Sequence, residues 1–271
     1  MKHVLVIMGS PRRGNTMRAA QAIEERMKSL GEVAFEYCML KDADLAHCRG
    51  CFLCFEKGEE HCPLHDDAPE IERRMHEADG VIFATPVYGM NVSGLFKTFV
   101  DRFSYIFHRP RFFDKKALLL TTAALLGEKD VLDYLDLVAR IWGFEVAGRV
   151  GLVMPPYDLP EEKARRNKET IDAAARAFHA SLHRTRRSPS FRDVMLFHGQ
   201  RATFRELDDL APVDYEYWEQ NGWLDKKTPY FVEVPVNPLY HVLGSLIEWH
   251  VGRQTRKDMA GMRRKSPYPG E

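Results

Sequence analysis

The chain has no G-x-G-x-x-G, no lysine where a nucleotide-triphosphate loop needs one, no membrane-length apolar run and no excess of either charge. Each absence removes a class of function. Without the glycine fingerprint, a Rossmann dinucleotide site is not expected. The 39 basic and 39 acidic residues cancel, so no overall field gathers nucleic acid or anionic lipid, and such a contact would need a local patch. Nothing approaches the roughly 20 apolar residues of a membrane span. The opening Met1-Lys2-His3-Val4-Leu5-Val6-Ile7-Met8-Gly9 is too short in apolar residues for an export signal and runs straight into a glycine turn, as a first β-strand does. Cysteine is scarce as well, with 5 in 271 residues, but Cys48, Cys51, Cys54 and Cys62 crowd together. Such crowding without an export signal points to reduced thiols in the cytoplasm and to metal or redox use, with disulfide scaffolding the weaker reading.

What is present alternates. Val4 to Met8 reads as a central parallel strand buried on both faces, followed by a helix with Ala20, Ile23, Met27 and Leu30 on one stripe and Gly31 as its stop. Val33 to Cys38 reads as a second strand. After the cysteine loop, Asp67 and Glu70 offer an N-cap and capping-box partner for a helix through Ala78. Gly80 to Thr85 is a third strand, Ser93 to Phe107 a helix, Lys116 to Thr121 a fourth strand, Lys129 to Trp142 a helix and Phe144 to Met154 a fifth strand. This order predicts an α/β fold with a doubly wound five-stranded parallel sheet and right-handed crossovers. Glu161 to Leu182 reads as a further covering helix. The expected boundary lies in the basic stretch near Arg187, giving a domain over 1–187 and an aromatic-rich C-terminal extension over 188–271.

Gly9-x₄-Gly14-Asn15-Thr16 has P-loop spacing but carries Asn15 in place of lysine, so triphosphate hydrolysis would lack its main electrostatic element. A monophosphate asks for less: helix-start N–H groups, the hydroxyls of Ser10 and Thr16, and Arg12 or Arg13 can surround one dianion. An ordinary glycine turn is the bland alternative. A second loop, Pro86-Val87-Tyr88-Gly89, leaves the carboxyl end of the third strand, where open α/β sheets bind ligands. Tyr88 can lie along the face of a flat heterocycle while backbone groups address its edge, with Thr121 and Thr122 as a third wall.

Cys48-x₂-Cys51-x₂-Cys54-x₇-Cys62-Pro63 is close to the bacterial ferredoxin run, except that the last gap is seven residues. An iron–sulfur cluster, zinc and small structural thiols are the three readings. Zinc usually takes two separated pairs, although His47, His61 and His65 lie nearby in sequence. Cys38 reads as a core residue, and Asp66 and Asp67 as helix caps.

Taken together, G-S-P-R-R-G-N-T, C-x-x-C-x-x-C, and D-G-V-I-F-A-T-P-V-Y with S-G-L-F-K-T-F-V-D-R resemble the NADPH-dependent FMN reductase branch of the flavodoxin-like superfamily, and most closely its iron–sulfur flavoproteins. The resemblance covers about residues 1 to 155. It implies a flavodoxin-like fold and FMN bound at its phosphate by Ser10, Arg12, Asn15 and Thr16 and at its ring by Pro86, Val87, Tyr88 and Gly89, with Thr121 and Thr122 as looser matches. It also implies NAD(P)H as a transient co-substrate and a [4Fe-4S] cluster on Cys48, Cys51, Cys54 and Cys62, in a family that tolerates the longer gap. Asp101 and Arg102 match the family pattern and read as a structural ion pair at a helix end.

The expected function is therefore electron transfer from NAD(P)H through flavin to a small-molecule or protein acceptor. The alternative is a non-enzymatic electron carrier reduced by a ferredoxin-type partner. In the extension, Leu239 to Val251 is strongly apolar and is followed by Arg253, Arg256, Lys257, Arg263, Arg264 and Lys265. We read it as a helix buried against a partner subunit in a homodimer or homotetramer, in preference to one docked on lipid.

Overall fold

Val4 to Met8 are fully buried because their strand lies inside a parallel sheet covered on both faces, where each apolar side chain contributes about 1.5–3 kcal/mol. In this computed structural model the residues described are 1–208 and 210–260, so Arg263, Arg264 and Lys265 of the expected basic patch lie outside them. The chain divides into two units. The first comprises Met1–His47, Asp66–Ser104 and Phe112–Thr185, and the second comprises Cys48–His65, Tyr105–Arg111 and the chain from Arg186 onward.

The first unit carries five parallel strands: β1 (Lys2–Met8), β2 (Val33–Met39), β3 (Gly80–Pro86), β4 (Lys116–Ala123) and β5 (Glu145–Val153). Their order is β2-β1-β3-β4-β5, the flavodoxin-like order, with its topological switch between β1 and β3. Helices α1 (Asn15–Lys28), α3 (Ala68–Glu77), α4 (Gly94–Arg102), α5 (Glu128–Ile141) and α6 (Glu161–Leu182) belong to this unit; α2 (Leu53–Glu56) belongs to the other. One core layer is mainly aliphatic, joining Val4, Val6 and Met8 to Ile23 and Met27 of α1 and to Ala175, Phe178 and Leu182 of α6. Another is aromatic. Phe83, Phe96, Phe99, Phe103, Trp142 and Phe144 form ring pairs from 5.0 to 6.4 Å apart.

Three local expectations need correction. The helix expected over Ser93–Phe107 stops at Arg102 and gives way to a 3₁₀ turn, Ser104–Phe107. Arg102 is not paired with Asp101 at a helix end: it holds Asp66 bidentately at 2.7 and 2.8 Å, both side chains buried, while Asp101 takes Lys97. Asp67 occupies the N-cap position of α3 but caps no helical N–H, and Glu70 pairs with Arg73 instead. The cap bond comes from Asp66, which accepts from Ala68 N.

The second unit is helical: α7 (Phe191–Phe204), α8 (Pro212–Gln220) and α9 (Pro238–Met259) follow α2 and a short 3₁₀ turn at Glu59–His61. Local chemistry sets the starts. Ser190 and Asp193 form a reciprocal capping box at α7, Pro212 opens α8, and Asn237 caps α9 ahead of Pro238. Phe197, Phe204, Trp218, Trp223 and Phe231 form the aromatic core.

Helix α9 meets α7 through glycine. A Cβ on Gly244 would fall 2.1–2.6 Å from the His198 ring, whereas one on Gly199 would meet nothing within 4 Å. Gly244→Ala should therefore cost about 1–3 kcal/mol by overpacking, while Gly199→Ala should add up to about 1 kcal/mol by restricting the unfolded chain. Denaturant unfolding of the two variants should move in opposite directions.

Between the same helices Glu248 accepts from His198, Arg201 and Arg205. Burial raises its pKa, but the hydrogen bonds from His198 and Arg201 and the arginine charges win and bring it from 4.5 to about 2. A carboxylate depressed in the folded state stabilises above its unfolded pKa and loses that contribution as pH falls through the folded one. Up to about 3 kcal/mol is present above pH 4.5 and disappears between pH 4.5 and 2. Acid unfolding followed by Trp218 and Trp223 fluorescence should show this component, and Glu248→Gln should lack it.

Candidate functional site

The carboxyl ends of β1, β3 and β4 bring the expected phosphate and ring residues to one sheet edge. At the end of β1, Gly9 donates to Ala84 O at 2.8 Å, and a Cβ there would lie 2.8–2.9 Å from Phe96 of α4. Glycine is thus required for close packing, and it aims the chain into the turn before α1. Ser10 is buried, and its hydroxyl donates to Arg12 O at 2.7 Å, a proton that a hydroxyl rotor can redirect. Arg12 and Arg13 are exposed.

The two helix starts at this edge differ. At α4, the Ser93 hydroxyl accepts from Phe96 N at 3.2 Å and donates to Gly9 O at 2.6 Å. At α1 the N-cap is Gly14, with no side-chain cap and no acidic residue in the first turn. Helix starts leave N–H donors unsatisfied and carry partial positive charge, so α1 offers an anion what α4 already gives to Ser93. Asn15 contributes by its backbone, because its side chain bridges Met154 O and Arg18. Thr16 is buried, and its hydroxyl lies 2.7 Å from that of Thr122, tying the turn to the end of β4.

The β3 loop is a tight hairpin. Tyr88 and Asn91 exchange backbone hydrogen bonds of 2.9 and 3.0 Å around Gly89 and Met90, both at positive φ (54° and 64°). The right-handed twist of the flanking chain favours such a turn, but Met90 has a Cβ and its conformation costs about 1–2 kcal/mol. Val87 donates to Thr122 O at 2.9 Å and Pro86 has no N–H. Among these four expected ring contacts and the described residues, Gly89 alone keeps its N–H without a hydrogen bond. Tyr88 is 41% and Met90 49% exposed. Thr121 is placed differently from Thr122, since it is fully buried and donates to Thr85 O at 2.8 Å within the sheet.

Sequence reasoning missed part of this edge. Leu125 and Leu126, on the loop after β4, are exposed, and the neighbouring Gly127 has room for no Cβ because Val87 and Met90 pack against it. The signal was an apolar pair immediately before a Gly-Glu helix start, where a polar loop would be ordinary. The edge thus combines a polar turn for an anion with exposed apolar side chains on two adjoining loops.

The cysteine loop belongs to the second unit. All five cysteines are thiols: Cys48 is exposed, Cys51, Cys54 and Cys62 are half-buried, and Cys38 is buried as expected. Positive φ values at Gly50, Phe52 and Gly58 bend the backbone repeatedly. Burial pushes the Cys54 thiol up to about 11, opposed by the charge of Arg109 and reinforced by Cys48, Cys51 and Cys62. Among the described residues, however, no three His, Cys, Asp or Glu side chains converge as a metal site.

A family model described as NADPH-dependent FMN reductase matches residues 2–156. An iron–sulfur flavoprotein of Archaeoglobus fulgidus is 31% identical over 80% of this chain and 98% of its own length. Another, from Clostridioides difficile, is 34% identical over 81% of this chain and 98% of its own length. Among solved structures, an NAD(P)H:quinone oxidoreductase from Methanothermobacter marburgensis superposes with a TM-score of 0.52 at 21% identity, covering 65% of this chain and 98% of that one. RosB with a bound flavin phosphate intermediate gives 0.53 at 14% identity over 100% and 94%. At such identities these two structures establish the fold alone, whereas the family model and the two sequence relatives establish kinship. The chain belongs to the NADPH-dependent FMN reductase family of oxidoreductases, beside the iron–sulfur flavoproteins that it matches along most of its length.

Proposed function

We propose that this chain is an FMN-dependent oxidoreductase that draws electrons from NAD(P)H and passes them to a small-molecule or protein acceptor, with a [4Fe-4S] cluster on Cys48, Cys51, Cys54 and Cys62. The observation that carries the reading is the uncapped start of α1, set among Ser10, Thr16 and Arg12 at the switch point of the sheet. When bound, FMN accepts hydride and releases electrons, and an iron–sulfur cluster carries them one at a time.

The residues present fit a phosphoflavin. Backbone N–H groups at Gly14 to Thr16 and the hydroxyls of Ser10 and Thr16 would hold the phosphate dianion, and Arg12 would add charge from the rim. Tyr88, Val87 and Pro86 would bound the ring, while Gly89 supplies the unengaged N–H of that loop. Thr122 orients Thr16 through their shared hydrogen bond, and Thr121 holds β3 to β4 beneath them. Exposed Met90, Leu125 and Leu126 would keep water from one side of the ring and give a nicotinamide an apolar surface. The four free thiols, all within one loop, fit a sulfur-ligated cluster by donor chemistry; drawing them onto one centre requires the loop to close around it.

No helix among the described residues is long and apolar enough to cross a membrane. The crowded free thiols favour a reducing compartment, the cytoplasm. On α9 the exposed Leu239, Val242, Leu246 and Trp249 recur at three- and four-residue intervals, which supports a homodimer or homotetramer. Light scattering of the full chain tests that point: Leu246→Glu with Trp249→Glu should give a monomer.

Anaerobic purification followed by an absorption spectrum and by flavin, iron and acid-labile sulfide analysis tests the whole reading. We expect one FMN and close to four irons per chain. Flavin at full occupancy with fewer than about one iron would leave an FMN reductase without a cluster. Loss of FMN binding would remove the proposal altogether.

A further inference from the structure

One buried guanidinium ties the cysteine loop to the C-terminal helices of the same unit. Arg109 is 1% exposed. Its Nη2 donates to Cys54 O at 2.7 Å and to Glu59 Oε2 at 2.8 Å, and its Nη1 donates to Asp214 Oδ1. Asp214 lies in the first turn of α8, is fully buried, and also meets His108 Nδ1 at 2.6 Å. The neighbours of Arg109 repeat the arrangement. The His108 ring stacks on Phe55 at 4.3 Å, and Arg111 Nη1 reaches Glu59 Oε1 at 2.9 Å. From the other side, Trp218 Nε1 donates to His108 O at 2.7 Å and Tyr217 Oη to Pro110 O at 3.0 Å. The segment 108–111 is thus gripped by α8 and in turn grips the loop at Cys54, Phe55 and Glu59.

Burying an arginine with an aspartate carries a desolvation penalty for each ion, and apolar side chains of similar volume would often pack as well or better. A planar fork does what they would not. It binds a carbonyl and two carboxylates at once and thereby fixes the backbone of one chosen residue. The chosen residue is Cys54, the third of the four expected ligands, in a loop whose bends at Gly50, Phe52 and Gly58 would otherwise let it pivot.

We propose that Arg109 is a positioning residue for Cys54 and that α8, through Asp214, is the seat of the cysteine loop. The part of this that concerns metal retention rests on the cluster reading above; the part that concerns the loop does not.

Two measurements separate them. In the first, the metal-free full-length protein is alkylated with iodoacetamide and each cysteine followed by mass spectrometry. Buried Cys38, in the other unit, reports global unfolding. Arg109→Lys keeps the charge and loses the fork, so Cys54 should react about tenfold faster while Cys38 stays protected. Asp214→Asn still offers an oxygen to Arg109 and should move Cys54 less. If Arg109→Lys does not fold, Arg109→Met with Asp214→Leu removes both charges of the buried pair, and its Cys54 rate, corrected for thiolate fraction from the pH dependence of alkylation, should rise in the same way. Unchanged Cys54 reactivity, or Cys54 and Cys38 rising together, would overturn the proposal.

In the second measurement the wild type and the same variants are reconstituted anaerobically with iron and sulfide and exposed to an iron chelator. Loss of iron should be about 10- to 100-fold faster without the fork. Wild-type protein that takes up no iron defeats the cluster reading, and the alkylation result still judges Arg109. Iron held as tightly by Arg109→Lys as by wild type counts against Arg109.

Discussion

Replacing Ser10 and Thr16 together by alanine should weaken FMN binding by about 10²- to 10⁴-fold. Each hydroxyl would give one hydrogen bond to a charged phosphate, worth about 1.5–3 kcal/mol, and every 1.4 kcal/mol is tenfold in affinity. The fold should survive, because the Ser10 hydroxyl bonds within its own turn and Thr16 loses one hydroxyl contact, to Thr122. Thr121→Val is the control. Its hydroxyl serves Thr85 O, so stability should fall by about 1 kcal/mol while FMN affinity holds. Fluorescence titration of FMN into apoprotein measures the affinities and denaturant unfolding the stability; unchanged affinity in the Ser10/Thr16 double variant would show that the phosphate sits elsewhere.

Cys51→Ala with Cys54→Ala should separate the proposed cluster from the flavin. Iron after anaerobic reconstitution should fall from close to four to below about one per chain, with flavin content unchanged, because the thiols and the flavin residues belong to different units. Retention of iron by the double variant would remove these thiols from the ligand set. A parallel loss of flavin would mean that the substitutions damage the first unit as well.

The strands were legible because a parallel strand buried on both faces reads as an unbroken apolar run: Val4–Met8 and Val81–Ala84 can be little else. Helix ends were less so. Phe103 and Ile106 continue the apolar stripe of α4, so periodicity alone carries the helix to Phe107, although the α-helix ends at Arg102, where the guanidinium pairs with Asp66, 36 residues away. That pair has no local signature, and it also displaced the expected Asp67 cap. The turn proposed for the phosphate stood out by its hydroxyl and arginine content. The loop after β4 did not, because Leu125 and Leu126 look like an extension of a buried strand. The link from Cys54 through Arg109 to Asp214 spans 55 and 105 residues, and only the folded chain reveals it.

Direct transfer from a nicotinamide nucleotide to the flavin proposed at this sheet edge is the step on which the proposed function turns. Anaerobic addition of NADPH, and separately NADH, to FMN-loaded protein tests it most directly by the flavin absorbance near its visible maximum. The account predicts bleaching by one equivalent of at least one of the two, at a rate that falls when Met90 or Leu126 is replaced by aspartate. Full flavin occupancy with reduction by dithionite but by neither nucleotide would contradict it and leave an electron carrier that a protein partner reduces.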